Sequence, residues 1–172
     1  MTPLLTPSHD LLDLIHGQPH RQHLYRRMKR LPRRTQQVLL YRRLDDLAYN
    51  GIAQRLHTST RDVEDRMQNA LHVCCKPLQP GQQMAIHWYI KLQSPSTTAS
   101  ERIDFRRWLD SDSAHSAAFH ATELQWRQLL APAALLGHDR WYHKARQGLG
   151  LRGWVTAGLA MALAAELISQ SL

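Results

Sequence analysis

Apolar positions recur at helical spacing along most of this chain of 172 residues. Residues 22–30 and Arg33–Leu44 predict two helices divided at Pro32, where the missing amide hydrogen stops a helix. Val38, Leu39, Tyr41 and Leu44 are the apolar positions of the second. A short helix over Tyr49–Leu56 follows, then a break at His57 and Thr58. Ser59 caps a longer helix reaching about Cys74, in which Val63, Met67, Ala70 and Cys74 fall at i, i+4, i+7 and i+11 and make one buried stripe. Ser59-x-x-Asp62 has the form of a capping box with a short acid. Near the start, Ser8 caps a short helix to His16, which Gly17 and Pro19 stop.

Pro77, Pro80 and Gly81 punctuate residues 76–82 and set a boundary there. Beyond it Ala85, Trp88, Tyr89 and Leu92 repeat at i, i+3, i+4 and i+7, an amphipathic helix with a heavy aromatic load. Thr98-x-x-Glu101 is a capping box opening a helix through Leu109 that buries Phe105, Trp108 and Leu109. Ser113 caps the next helix, which runs to about Leu130, carries Phe119 and Trp126 two turns apart on one face, and is ended by Pro132. A connector bearing Gly, Arg and Trp then leads to an uncharged apolar run of 12 residues, 154–165. No stretch alternates like a strand for long and no internal repeat is visible, so the expected fold is all-α. Its parts are an extension (1–20), a four-helix unit (21–76), a three-helix unit (82–131), the connector (132–152) and a C-terminal apolar helix (153–172).

Charge sharpens this outline. The net charge is +8, with +6 carried by residues 1–80 (13 Lys/Arg against 7 Asp/Glu) and +2 by residues 81–172 (9 against 7). Between Arg21 and Arg43 stand nine basic side chains and no acid. Such a block either meets something negative, such as nucleic acid, an acidic protein or an anionic surface, or forms a solvated face. The two cysteines, Cys74 and Cys75, are adjacent, and no C-x-x-C is present, which suits a reducing cytoplasm. Residues 1–8 lack the apolar core of a secretory signal. The run at 154–165 is short of the roughly 20 residues of a membrane span, although residues 153–172 just suffice. Arg140, Lys144, Arg146 and Arg152 stand upstream, on the side that the positive-inside rule keeps cytoplasmic. The segment is either an inner-membrane tether or a helix that packs on protein.

The middle helices meet the requirement of a helix-turn-helix: a short support helix, a tight turn, and a second helix whose outer face is free for a groove. Ile52, Ala53 and Leu56 are expected to pack on Val63 and Met67, leaving Arg61, Glu64, Asp65 and Gln68 facing out. Leu31-Pro32-x-Arg34, Ala48-Tyr49-x-x-Ile52-Ala53-x-x-Leu56, Ser59 with Val63, and Ala70-Leu71 together resemble region 4 of the extracytoplasmic-function sigma factors. That resemblance implies promoter DNA as ligand, with Arg33, Arg34, Arg61, Glu64, Asp65 and Gln68 as candidate contacts. Two departures from the family pattern matter. Gly51 replaces the usual acid before the Ile-Ala pair, costing about 1 kcal/mol of helix propensity. Glu64 and Asp65 replace the usual Lys or Arg, so residues 60–69 carry two arginines against three acids, a charge of −1. Carboxylates oppose the phosphate attraction that dominates DNA affinity, although a carboxylate can still accept from cytosine N4. The pattern implies a weakened DNA reader or one turned to protein contact. Sigma factors of that family also carry a region 2, for which the residues before the first matched helix are too few; a complete sigma factor is not expected.

The second unit carries its own resemblance. Ala85-x-x-Trp88-x-x-x-Leu92, Ser100-Glu101-Arg102-x-x-Phe105-x-x-Trp108-Leu109, Ser113-x-His115-x-x-Ala118 and Trp126 resemble the N-terminal cytoplasmic domain of FecR-type anti-sigma regulators, a DUF4880-like segment. The resemblance implies a sigma factor as partner, possible approach to RNA polymerase, and a role in siderophore-linked cell-surface signalling. Trp88, Leu92, Arg102, Phe105, Arg106, Trp108 and Trp126 are the candidate sigma contacts. Helical spacing by itself places Trp88, Phe105, Trp108 and Trp126 in a core, and reads the arginines as a solvated face as readily as a contact. In that family a membrane helix and a periplasmic receiver follow; the apolar run lies about where the first belongs, and no receiver is expected after it.

Eleven histidines raise metal binding, but His16 and His20 are parted by Gly17 and Pro19. His115 with His120 and His138 with His143 are spaced by five, without the Cys or acid partners of a recognisable site. No phosphate-cradling loop, nucleophile elbow or H-E-x-x-H is present. Neither a catalytic site nor a cofactor is expected, and a transcription regulator working by binding is.

Overall fold

A computed structural model describes residues 19–143. The expected helix at 8–16 and the apolar segment 153–172 lie outside the described residues. Those described form helices α1 (Pro19–Arg30), α2 (Arg33–Leu44), α3 (Tyr49–Leu56), α4 (Thr60–Cys74), α5 (Gln82–Lys91), α6 (Ala99–Ser111), α7 (Ser113–Gln128) and α8 (Leu130–Leu136), then a 3-10 turn at Trp141–His143. No strand occurs among them, and the all-α reading holds.

Local chemistry sets the helix ends. Between α1 and α2 the Gln36 amide donates to the carbonyls of Lys29 (3.0 Å) and Leu31 (2.9 Å), which the ending helix leaves without partners. α3 stops where His57 takes a left-handed backbone (φ 51°), making the turn of the helix-turn-helix. Ser59 then accepts the Asp62 amide at 3.1 Å. The Asp62 carboxylate does not return to the cap; it takes Thr58 Oγ1 (2.8 Å) and Arg66 Nε (2.7 Å), so the short acid completes only half of a capping box. The Arg66 bond holds its carboxyl below the usual range. At α6 the box is complete: Glu101 donates its amide to Thr98 Oγ1 (3.2 Å) and accepts the Thr98 amide (2.7 Å).

Val38, Leu39, Leu40, Ile52, Val63 and Leu71 are fully enclosed where α2, α3 and α4 meet. The same cluster takes Ile86 and Ile90 from α5, and Leu129, Ala133 and Tyr142 from further on. α5 lies between α4 and α7, α8 returns onto α1 and α2, and α6 leans mainly on α7. Gly137 allows that return, since a Cβ there would sit 2.8 Å from Leu44 Cδ1 and 3.0 Å from the Tyr142 ring.

Four expectations change. α5 was expected to bury one stripe, Ala85, Trp88, Tyr89 and Leu92; it instead buries Ala85, Ile86 and Ile90, while the other three are half-buried. Phe105, Trp108 and Leu109 are half-buried, and no residue of α6 is buried, because only α7 backs it. Asp112, not Ser113, caps α7 by accepting the Ala114 amide at 2.8 Å. Pro132 does not end a helix: α7 stops at Gln128, and Pro132 sits in the first turn of α8, where an amide hydrogen has no use.

Candidate functional site

α4 presents two faces. Val63, Met67, Ala70 and Cys74 point inward and are at most 1% exposed, as the stripe requires. The opposite side carries Arg61, Glu64, Asp65 and Gln68, the outward set the sequence identifies. Open solvent meets only part of this set. With Thr60 they form one wall of a cleft of about 530 Å³ whose other wall is His87, Ile90, Lys91 and Ser96. Arg61 and Asp65 are exposed, while Glu64 and Gln68 are half-buried. Glu64 accepts the hydroxyl of Ser94, a residue only 4% exposed, and the Ser96 amide donates to the same hydroxyl at 3.2 Å. Lys91 is held by Glu101 at 2.9 Å.

Arg33 and Arg34 diverge from this face and from each other. The Arg33 guanidinium lies 4.2 Å from the centre of the Trp141 ring. Arg34 lines a smaller pocket of about 200 Å³ with Leu56, His57, Thr58, Asp62 and Arg66 beside the turn. Much of the basic block has internal work. Arg27 donates to the carbonyls of Cys74 (3.1 Å) and Lys76, closing the end of α4. Arg42 donates to Gln93 Oε1 (3.0 and 3.2 Å) and pairs with Asp46 at 2.6 Å. Arg43 donates to the Arg127 carbonyl at 3.1 Å and stacks 5.1 Å from the Trp126 ring, where burial lowers its pKa. Four of the nine cations are thus spent on internal partners; apart from Asp46, four positions from Arg42, those partners are too distant in sequence for spacing to have revealed them.

The candidate aromatic contacts separate into two groups. Phe105 lies 5.7 Å from Trp88, 6.2 Å from Trp108 and 5.0 Å from Phe119, ring centre to ring centre. Trp108 stacks on His115 at 4.7 Å, and His115 Nδ1 lies 2.8 Å from the Trp108 carbonyl. Trp126 belongs elsewhere: it packs on Tyr89 at 6.2 Å and under Arg43, at the joint between the two halves of the chain. Burial pushes the Tyr89 phenol up to about 12. Phe119 and Trp126 both reach Tyr89, as their two-turn spacing requires. All four candidate aromatics are half-buried, short of the core that helical spacing suggested, and Leu92 is half-buried at the end of α5. Arg102 and Arg106 are exposed on α6, beside Ile103 at 54% exposure, and Leu124 on α7 is 43% exposed. Ile103 and Leu124 were missed; an apolar residue outside the stripe of its own helix was the available signal.

Among the described residues no group of three or more His, Cys, Asp or Glu is placed to hold a metal ion. None of the described helices is long and apolar enough to cross a membrane. Cys74 and Cys75 are free thiols, both pushed up to about 12 by burial.

A support helix, a left-handed turn and a capped second helix over a closed core define a helix-turn-helix protein, here packed against a further helical segment. Residues 21–74 match the family described as Sigma-70, region 4, and residues 83–124 match a domain of unknown function, DUF4880. The chain joins these two segments, as its two resemblances imply, and is a sigma-factor-related regulator. No curated protein and no solved structure shows a match to it.

Proposed function

We propose that this protein is an anti-sigma or sigma-modulating regulator, and that α6 and α7 dock an extracytoplasmic-function sigma factor. One observation carries the reading: α6 is firmly capped yet buries none of its residues, leaving Ile103 exposed beside half-exposed Phe105 and Trp108 and the exposed Arg102 and Arg106. Apolar and aromatic groups flanked by arginines are the composition of an interface core with a polar rim. By resemblance to FecR-type regulators, its setting is siderophore-linked signalling on the cytoplasmic side of the inner membrane. The competing reading, direct promoter binding through α4, is opposed by the −1 charge of residues 60–69.

Tagged full-length protein expressed in its native host should co-purify with a sigma factor. Ile103→Glu should abolish recovery while shifting folding stability by no more than about 0.5 kcal/mol, as expected for a surface change. Recovery of promoter DNA with a steep salt dependence and no sigma factor would favour the DNA reading; sigma binding untouched by Ile103→Glu would remove α6 from the interface.

A further inference from the structure

Glu64 stands where the region 4 resemblance expects a cation, and the structure supplies a use for it that has nothing to do with DNA. Its carboxylate accepts the hydroxyl of Ser94, which is 4% exposed in the loop joining α5 to α6. Gln93, next in the chain, receives two bonds from the Arg42 guanidinium at 3.0 and 3.2 Å, so the loop is tied to both α4 and α2. Ser96 and Lys91 form the wall opposite Thr60, Arg61 and Glu64. That end of α4 is the part of a second helix that enters a major groove in a helix-turn-helix complex. A groove about 12 Å wide receives one helix, with no room for a loop lying along its reading face.

The geometry points to an autoinhibitory contact: the α5–α6 loop is a cover over the reading face of α4, and Glu64 is the residue that receives its latch, Ser94. The Glu64 side of the face is therefore obstructed by shape, with Arg61 and Asp65 beside it still exposed, and the face is also disfavoured by charge. The two effects make opposite predictions. If charge alone keeps DNA away, adding a cation to α4 restores binding, and any further acid reduces it. If the cover keeps DNA away, a cation added to α4 has little effect until the loop is displaced, and an acid that displaces the loop increases binding. A carboxylate at position 94 would face Glu64 directly and repel it. The inference rests on the helix-turn-helix and not on the identity of any partner for α6.

The test uses the full chain and a fluorescent random-sequence duplex, followed by anisotropy through a salt series. Asp65→Lys takes residues 60–69 from −1 to +1 without touching the latch. It should leave affinity within about twofold of the parent, whereas adding Ser94→Glu should tighten binding by about fivefold or more, despite one more negative charge. Arg61→Ala in that double variant should remove the gain, showing that the duplex sits on α4 and not on the Arg21–Arg43 block. Ser94→Ala in the Asp65→Lys background, which cuts the latch without adding charge, should move affinity in the same direction by a smaller factor. It decides the matter if circular dichroism shows the glutamate variant misfolded. Strong binding by Asp65→Lys alone, or weaker or unchanged binding when Ser94 is replaced, would overturn the cover.

Discussion

α4 and α6 are helices of 15 and 13 residues, each opened by a hydroxyl side chain that accepts the amide three positions on. α4 buries five residues; α6 buries none. Their different fates follow from position. α4 is surrounded by α1, α2, α3 and α5, so every apolar side chain on its inner stripe finds a wall. α6 leans mainly on α7 and holds its place through the Thr98–Glu101 box, the Lys91–Glu101 pair and ring contacts around Phe105. A cap settles where a helix starts; its neighbours decide how much of it is enclosed.

The largest expected effect comes from the joint between these environments. Ile86 on α5 is fully enclosed in the cluster that holds the helix-turn-helix. Ile86→Ala should cost about 2–5 kcal/mol and lower the melting of α4 and α6 together. Two separate transitions in calorimetry, with the helix-turn-helix unaffected, would show that the halves are independent and break the comparison. A smaller effect, of opposite sign, is expected at Gly51 in α3, where a Cβ would meet nothing within 4 Å. Gly51→Ala should stabilise the protein by about 0.5–1 kcal/mol in chemical denaturation. Loss of stability would mean that the support helix needs the glycine for a reason not visible in its surroundings. The smallest effect is confined to α6. The Thr98 amide, then Lys91 and the Thr98 hydroxyl, hold the Glu101 carboxyl down at about 2, against an ordinary value of 4.5. Because the folded value is depressed, the contribution is full above the ordinary value and is lost as pH falls from there towards about 2. Amide protection factors in the first turn of α6, taken relative to the intrinsic exchange rate at each pH, should fall through that window, and Glu101→Gln should abolish that change while leaving α4 unchanged.

The helix-turn-helix was legible because its signals are local. Val63, Met67, Ala70 and Cys74 announce the buried side of α4 by spacing alone, and Ser59 announces its start. The candidate face of Arg61, Glu64, Asp65 and Gln68 followed as the other side of the same helix. The aromatic unit was legible in sequence order but not in depth. Spacing puts Trp88 and Tyr89 on the inner stripe of α5, while the residues that anchor that helix, Ile86 and Ile90, lie one turn apart on the adjoining side, in the cluster shared with α4. Spacing shows that a helix has an apolar side; it does not tell which of two apolar sides meets the larger neighbour.

The chain's own sequence determined the all-α class, the starts of α4 and α6, the helix-turn-helix and both family resemblances, because these depend on residues within a few turns of one another. Only the tertiary structure decided that residues 130–143, read as the last residue of one helix and a connector, return to complete the first core. It likewise decided that Arg27, Arg42 and Arg43 serve internal partners and that Ser94 reaches Glu64 across 30 positions. Those contacts join residues far apart in the chain, and what brings them together is the enclosure of a shared apolar core, which no local pattern encodes.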